Sequence, residues 1–266
     1  MKKISILGCG WFGLAFAKQL IKLGYEVNGS TTSPERLSLL AQEKINPFLI
    51  NFTADQVIAD NEFFEADVLF ICIPPKRNSH ELTTYPDKIQ AILTAVADKI
   101  SQVVLISSTS VYGDENETIN ELSETRPDTE SGKMVLAAES VLKARKPAGF
   151  TIIRFAGLIG PNRNPGRFFA GKTEVPNGLA PINLIHQTDA VGIATVILKK
   201  QAFGRIYNAC SPQHPTKKEF YTAAAITAGL ISPVFLQEKK NWKLVDSKNV
   251  PEFLDYKFEV QLEGKS

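Results

Sequence analysis

The feature that most constrains this chain is a glycine-rich turn between a strand and a helix, close to the first residue. An apolar run at residues 4–7 precedes the turn, and apolar residues recur at helical spacing through residues 12–23. The turn itself reads Gly8-Cys9-Gly10-Trp11-Phe12-Gly13. Glycines at this spacing permit a tight strand-to-helix turn, a close approach of the backbone to a pyrophosphate, and close packing of the helix on the strand. The turn therefore predicts that a nucleotide diphosphate binds at the free amides of a helix N-terminus.

Composition excludes several classes of protein. The chain of 266 residues has 30 basic and 28 acidic side chains, a net charge of +2, and no basic stripe, so we expect no nucleic-acid partner. Cys9, Cys72 and Cys210 are too few and too scattered for a disulfide framework or a metal site, and their apolar neighbours predict buried free thiols. No apolar run reaches the ~18 residues that cross a bilayer, and the first residues lack a signal-peptide pattern. We expect a cytoplasmic protein with no metal and no membrane contact.

Strand-like and helical segments alternate along the chain, which predicts an α/β fold. Apolar runs at residues 66–73, 103–106, 150–155 and 205–210 are separated by helical patterns, as in βαβ units with a parallel sheet. Ligands of such sheets bind beyond the carboxyl ends of the strands. The hydroxyl-rich segment 107–112 follows the run 103–106, so we expect it over the nicotinamide end of any bound cofactor.

The end of the second predicted strand, residues 25–31, bears on the choice of cofactor. An acidic residue there binds the ribose 2′-hydroxyl of NAD in dinucleotide folds, but the segment Ser30-Thr31-Thr32-Ser33 has no carboxylate. Hydroxyl groups and the nearby Arg36 accommodate a 2′-phosphate better than an acid would. The segment therefore favours NADP, while NAD stays open. Ser33 also suits a helix cap, and both roles can hold at once.

Four motifs follow one another in a recognisable order. The glycine turn is followed by Ser107-Ser108-Thr109-Ser110-Val111-Tyr112-Gly113, then a helix that contains Lys133, then Arg-x-x-x-Leu-Ile-Gly-Pro at residues 154–161. This order resembles the short-chain dehydrogenase/reductase superfamily, and most of all its extended or atypical branch, the NAD-dependent epimerase/dehydratase proteins. Within that branch, the strings at residues 164–172 and 183–186 are similar to those of the YeeZ-like proteins. The similarity covers nearly the whole chain.

The resemblance implies a Rossmann-type, doubly wound parallel sheet with a small, split substrate-binding region. The dinucleotide-binding domain would span residues 1–160 and be completed by 183–210. The substrate-binding region would combine residues 161–182 and 211–266. A small-molecule substrate is implied. Helices beside the fourth and fifth strands often pair subunits in this family, which makes a homodimer an expectation.

The resemblance also implies roles for particular side chains. Ser108, three residues before the valine of Val-Tyr-Gly, would hold the substrate oxygen, and Ser107 beside it would face the cofactor. Lys133 would bind the nicotinamide ribose and lower the pKa of a tyrosine that exchanges a proton with the substrate. The basic residues in the region where the family contacts substrate suit a phosphate, a carboxylate or a nucleotide sugar diphosphate, although a solvated basic loop would explain them as well; they are Arg163, Arg167 and Lys172.

Thr129 departs from the family pattern, because it stands where Tyr-x-x-x-Lys would place the tyrosine before Lys133. A threonine hydroxyl is far too weak an acid to replace a phenol near neutral pH. Tyr112, the nearest tyrosine in sequence, is one candidate for the proton donor. Chemistry that needs no tyrosine is a second explanation, and a cofactor-binding sensor or scaffold without turnover is a third. The first two leave an NAD(P)-dependent oxidoreductase or epimerase acting on a nucleotide sugar or a small carbonyl or hydroxyl compound.

One further pair of residues has a simpler interpretation. His186 followed by Asp189 could form a proton relay, but Asp189 also suits the N-cap of a helix at residues 190–200. We therefore predict that Asp189 caps that helix and that His186 is a packing residue.

Overall fold

Helices and strands alternate along the chain as the sequence predicts. The computed structural model describes residues 3–52, 57–58, 60–75, 81–97, 99–145 and 149–262. The strands are β1 (Lys3–Leu7), β2 (Glu26–Thr31), β3 (Asn46–Leu49), β4 (Asn51–Phe52), β5 (Val57–Ile58), β6 (Val68–Ile71), β7 (Gln102–Ser108), β8 (Glu117–Ile119), β9 (Phe150–Phe155), β10 (Gly157–Ile159), β11 (Leu184–His186), β12 (Ile206–Ala209) and β13 (Lys243–Val245). The α-helices are α1 (Trp11–Lys22), α2 (Leu37–Gln42), α3 (Tyr85–Val96), α4 (Glu130–Arg145), α5 (Gln187–Lys200) and α6 (Lys217–Thr227).

Seven strands form one parallel sheet in the order β12-β9-β7-β6-β1-β2-β3. The chain leaves β1 toward β3 on one side, then returns to β6 and continues to β12 on the other. Strand order therefore reverses between β1 and β6, and a crevice opens at their carboxyl ends, where doubly wound sheets bind ligands. The predicted Rossmann-type fold is confirmed.

The strand β7 is longer than the sequence predicts. We expected it at residues 103–106, but its pairing with β9 continues through Ser107 opposite Arg154 and Ser108 opposite Phe155. Both serines therefore belong to the sheet, whose hydrogen bonds fix their backbone. The short helical turn Thr109–Val111 follows directly.

Two apolar clusters hold the molecule together. The larger one fills the space between the seven-stranded sheet and its helices, and includes the edge-to-face rings of Phe16 and Phe70 with centroids 4.7 Å apart. The smaller cluster is formed by residues that follow β9 in the chain. It contains Ile159, Val175, Ile182, Leu184, Phe220, Tyr221, Phe235 and Leu262. Part of the C-terminal tail returns to the larger cluster through Val245, Val250 and Leu254. The tail therefore joins the two clusters.

The prediction that Asp189 caps α5 is wrong. The helix begins at Gln187, and His186 is its N-cap because its Nδ1 accepts a hydrogen bond from the Thr188 amide at 3.2 Å. Asp189 lies in the first turn and is 1% exposed. Its carboxylate accepts hydrogen bonds from the Tyr256 hydroxyl at 3.0 Å and from the Glu259 amide at 2.7 Å. Asp189 thus fastens the C-terminal tail to α5.

Candidate functional site

Each glycine of the first turn meets a different steric requirement. Gly8 has φ +99°, and a Cβ there would lie 2.8 Å from Ile73 Cγ2. A Cβ on Gly13 would overlap the carbonyl oxygen of Gly8. Gly10 differs, since a Cβ there would meet no described atom within 4 Å. Gly8 therefore makes the turn, Gly13 packs the helix on the strand, and Gly10 leaves open space in front of the helix.

The amides at this turn fall into two groups. Ser30 holds the first group, because its hydroxyl accepts from the Gly8 amide and its carbonyl from the Cys9 amide, both at 2.8 Å. The helix α1 then begins at Trp11 with Gly10 as N-cap and no side-chain cap. The first amides of a helix have no partner within it and carry the positive end of its dipole. The turn thus presents donors to an anion in the space that Gly10 leaves open.

A cavity of about 520 Å³ lies on the β2 side of the turn. Several predicted cofactor residues line it, namely Gly8, Cys9, Gly10, Thr31, Thr32 and Arg36, together with Ser30, Asn51 and Lys88. Its charged side chains among the described residues are Arg36 and Lys88, and both are cations. The Arg36 guanidinium donates to the Cys9 carbonyl at 3.0 Å. Burial raises the pKa of the Cys9 thiol to about 12, so this cysteine is a neutral part of the wall.

A second cavity of about 800 Å³ lies on the β7 side and shares Gly10, Cys72 and Pro74 with the first. Most of the other predicted site residues line it, namely Trp11, Phe12, Gly13, Ser107, Ser108 and Arg163. Its wall also includes Ser110, from the hydroxyl-rich segment, Asn183, and Lys243, which the sequence did not single out. The two cavities therefore adjoin each other beside the N-terminus of α1.

Ser107 and Ser108 present opposite hydrogen-bonding groups to the larger cavity. The Ser107 hydroxyl donates to Glu139 Oε1 at 2.6 Å, so toward a ligand this oxygen can only accept. The Ser108 hydroxyl accepts from the Ser110 amide at 3.1 Å, which leaves its own proton available to a ligand. The Ser110 hydroxyl is buried and has no hydrogen-bond partner in the described part of the chain.

A buried ion pair lies behind the two serines. Glu139 is 0% and Arg154 is 2% exposed, and they form two hydrogen bonds of 2.9 and 2.6 Å. Arg154 also donates to the Tyr112 hydroxyl at 2.5 Å. Sequence reasoning missed Glu139, although a carboxylate among the apolar core positions of α4 was a usable signal.

Tyr112, our candidate proton donor, lies behind the wall of the larger cavity. It is 1% exposed, and its hydroxyl meets Arg154 and the Asn208 side chain, the latter at 3.1 Å. Burial raises the pKa of Tyr112 even though Arg154 opposes the effect. The tyrosine that does line the cavity is Tyr85, whose hydroxyl donates to the Ile73 carbonyl at 3.0 Å. The hydroxyl groups of Tyr112 and Tyr85 are therefore both engaged in hydrogen bonds within the protein.

Thr129 and Lys133 serve the start of α4. The Thr129 hydroxyl accepts from the Gly132 amide at 3.0 Å, which is an N-cap interaction that a tyrosine could not make. Lys133 is half exposed, with its Nζ 2.6 Å from Glu130 Oε1, and lines neither cavity. Arg167 and Lys172 are exposed and also lie outside both cavities. The structure thus brings Arg163 into the site, but not the other predicted cations of this group.

Lys243 enters the larger cavity from the C-terminal tail and was missed by sequence reasoning. Its Nζ donates to the Tyr112 carbonyl at 2.7 Å and to Asp114 Oδ1 at 2.8 Å. Asn183 holds the tail beside it, because its amide group donates to the Lys243 carbonyl and accepts from the Val245 amide, both at 2.8 Å. The tail is polar and weakly periodic, so the sequence carried no local signal for this contact.

Neither metal ligands nor a membrane span can be recognised in the described ranges. They contain no cluster of three or more His, Cys, Asp or Glu side chains that could hold a metal ion. Within the same residues, no helix has both the length and the apolar character needed to cross a bilayer.

Comparisons with known proteins agree with the fold. Residues 3–110 match the model of the family described as NADP oxidoreductase coenzyme F420-dependent. Protein YeeZ of Escherichia coli strain K12 is 34% identical over 265 residues, which cover 97% of this chain and 96% of YeeZ. The UDP-N-acetylglucosamine 4-epimerase from Bacillus cereus superposes with a TM-score of 0.80 at 21% identity, over 98% of this chain and 95% of that one. The UDP-glucuronic acid 4-epimerase from Bacillus cereus in complex with UDP-glucuronic acid and NAD gives 0.77 at 18% identity, over 98% and 95%.

Proposed function

This chain belongs to the family of Protein YeeZ, and we propose that it is an NAD(P)-binding oxidoreductase or epimerase. The observation that carries the proposal is the pair of adjoining cavities, whose walls share Gly10 beside the N-terminus of α1. A dinucleotide needs this layout, with one pocket for each half and free amides for the pyrophosphate between them.

The residues present fit a nicotinamide dinucleotide. The open space at Gly10 admits a pyrophosphate, and the smaller cavity would take the adenosine half. There Thr31, Thr32 and Arg36 supply hydroxyl groups and a cation, and no described carboxylate lines the cavity. This donor set supports NADP over NAD, because a 2′-phosphate needs donors and an acid would repel it.

The larger cavity would hold the nicotinamide and the substrate. A bound nicotinamide supplies hydride transfer. Ser108 would donate its free proton to a substrate oxygen, and Ser107 would accept from a donor such as a ribose hydroxyl or a carboxamide. Its volume of about 800 Å³ lies in the ordinary range of small-molecule sites. The epimerases with the same fold support a nucleotide sugar as the substrate class, with small carbonyl or hydroxyl compounds as the wider alternative.

The test is a titration of the Gly10→Glu variant with NADPH and with NADH, followed by nucleotide fluorescence. A Cβ at Gly10 meets no described atom, so the variant should fold, while its carboxylate would enter the phosphate site. We expect binding to be abolished. Gln42→Glu is the matched control, because it adds the same charge at an exposed position outside both cavities. Unchanged affinity in Gly10→Glu would refute the proposal.

A cofactor-binding sensor without turnover is the second candidate. It is favoured by Thr129, which caps α4 in place of the usual tyrosine, and by the occupied hydroxyl of Tyr112. Ser108→Ala separates the two candidates, because it removes the only proton we assign to the substrate oxygen. An enzyme should lose about 10²-fold or more in hydride transfer with unchanged NADPH affinity. A wild-type protein that binds NADPH and transfers no hydride to nucleotide sugars or small carbonyl compounds would support the sensor.

A further inference from the structure

The charged groups of the larger cavity are all of one sign. Among the described residues, its ionised side chains are those of Arg163 and Lys243, and no carboxylate lines it. We propose that Lys243, assisted by Arg163, binds an acidic group of the substrate, either a carboxylate or a phosphate. The inference rests on the proposed use of this cavity as the substrate site.

The position of Lys243 is set by the backbone of the tail. Strand β13, which begins at Lys243, pairs in parallel with β8, and Asn183 fixes it from the other side. The Lys243 side chain is 14% exposed, so its approach to the cavity is held by packing. An anion-binding group held in this way loses little side-chain freedom when a ligand arrives.

The hydrogen bonds of Lys243 leave capacity for a ligand. An ammonium group has three protons, and the Tyr112 carbonyl and Asp114 Oδ1 accept two of them. No acceptor for the third proton is found among the described residues, and Lys243 lines the larger cavity. Carboxylate and phosphate oxygens form the stronger, charge-assisted hydrogen bonds with such a donor.

Asp114 neutralises Lys243 only in part. Its side chain is 48% exposed and lies outside the cavity lining, so solvent screens its charge. Arg163 adds a second positive charge, with its guanidinium 4.4 Å from the centroid of the Trp11 ring. A guanidinium held over a ring in this way can still donate hydrogen bonds to an acid. The cavity therefore keeps an excess of positive charge.

The decisive experiment is isothermal titration calorimetry on NADPH-saturated protein with three probes, UDP-glucuronate, UDP-glucose and inorganic phosphate. Wild-type protein should bind at least one of these three probes. In Lys243→Met the affinity for that probe should fall about tenfold, which corresponds to about 1.4 kcal/mol. Lys240→Met is the matched control, because this neighbouring lysine is 72% exposed and lines neither cavity. It should bind like wild type.

The pattern across probes identifies the acid. A preference for UDP-glucuronate over UDP-glucose that disappears in Lys243→Met assigns a sugar carboxylate. Binding of phosphate and equal weakening of both nucleotide sugars assigns a phosphate. No effect of Lys243→Met, or no binding of any probe by wild-type protein, overturns the inference.

Asp114→Asn provides an independent test if Lys243→Met does not fold. Removing this partly exposed carboxylate frees Lys243 for the ligand, so binding of the acid should tighten about threefold. A role of Lys243 in stability alone predicts no change in binding. The NADPH titration of the same wild-type preparation keeps the two proposals apart. Protein that binds NADPH but shows none of these effects contradicts only the role of Lys243, whereas protein that does not bind NADPH contradicts the proposed function.

Discussion

The buried pair of Glu139 and Arg154 offers the sharpest test of how the cavity wall is held. Arg154→Met leaves the Glu139 carboxylate, which is 0% exposed, without its two hydrogen bonds to the guanidinium. Removing one partner of such a pair lowers the free energy of unfolding by about 3–5 kcal/mol. Since globular proteins are stable by about 5–15 kcal/mol in total, this loss should be large and easily measured.

The double variant Glu139→Leu/Arg154→Met should lose much less than the two single variants together. No buried charge is then left unpaired, and the remaining loss is that of the hydroxyl partners of Ser107 and Tyr112, about 1–3 kcal/mol each. The sum of the single variants would be about 6–10 kcal/mol. The coupling is therefore expected to be several kcal/mol, which distinguishes a buried ion pair from two independent contacts.

Urea denaturation followed by circular dichroism measures these free energies. Arg126→Met is the control, because Arg126 also forms ion pairs with glutamate but is 57% exposed, and its midpoint should equal that of wild type. A loss below about 1 kcal/mol in Arg154→Met, or additive losses in the double variant, would refute the reasoning.

Two further predictions concern the glycine turn and the partly buried His214. Gly13→Ala should lower the free energy of unfolding by about 1–3 kcal/mol or more, because its Cβ would overlap the Gly8 carbonyl oxygen. Gly10→Ala should lose less, because its Cβ meets no described atom and only the weaker capping preference of alanine counts against it. Equal urea midpoints for the two variants would contradict the packing role of Gly13. Burial lowers the pKa of His214 from its usual 6.5, against the opposing hydrogen bond from its Nδ1 to the Ile182 carbonyl. The neutral imidazole therefore stabilises the fold fully above about pH 6.5, and this contribution is lost as pH falls through the lowered pKa. The thermal midpoint of His214→Asn should fall less than that of wild type between pH 7 and 5, and parallel curves would exclude the effect.

Much of the fold could be predicted because its signals are local. The three glycines, the apolar runs and the helical periods each lie within one element, and the sheet follows from their alternation. The predictions fail where a contact with a residue far along the chain determines the local structure. Ser107 and Ser108 belong to β7 because β9 pairs with them. Asp189 does not cap the helix because its carboxylate accepts hydrogen bonds from the Tyr256 hydroxyl and the Glu259 amide.

The residues of the candidate site likewise divide into those that local sequence predicts and those that it does not. Residues of the glycine turn and of the β7 end line the cavities as expected, because sheet topology brings strand ends together. Lys243 could not be found, since its contact with the Tyr112 carbonyl spans 131 residues of sequence. Lys133 was carried over from the family pattern, and its side chain lies outside both cavities while Thr129 caps the helix before it. The family motif gives the order of residues in the sequence, but the position at which α4 begins determines the direction of the Lys133 side chain.

The hydrogen-bonding groups of the larger cavity restrict its ligand whether or not turnover occurs. The Ser107 hydroxyl donates its hydrogen bond to Glu139, so its oxygen can only accept from a ligand. The Ser108 hydroxyl accepts from the Ser110 amide, so it can still donate to a ligand. Together with the cations Arg163 and Lys243, these side chains favour a ligand that carries oxygen acceptors and at least one donor. These properties are set by contacts behind the wall and do not depend on a phenol. Catalysis therefore depends on which group donates a proton to the substrate oxygen. The binding of an oxygen-rich ligand can be tested separately from turnover.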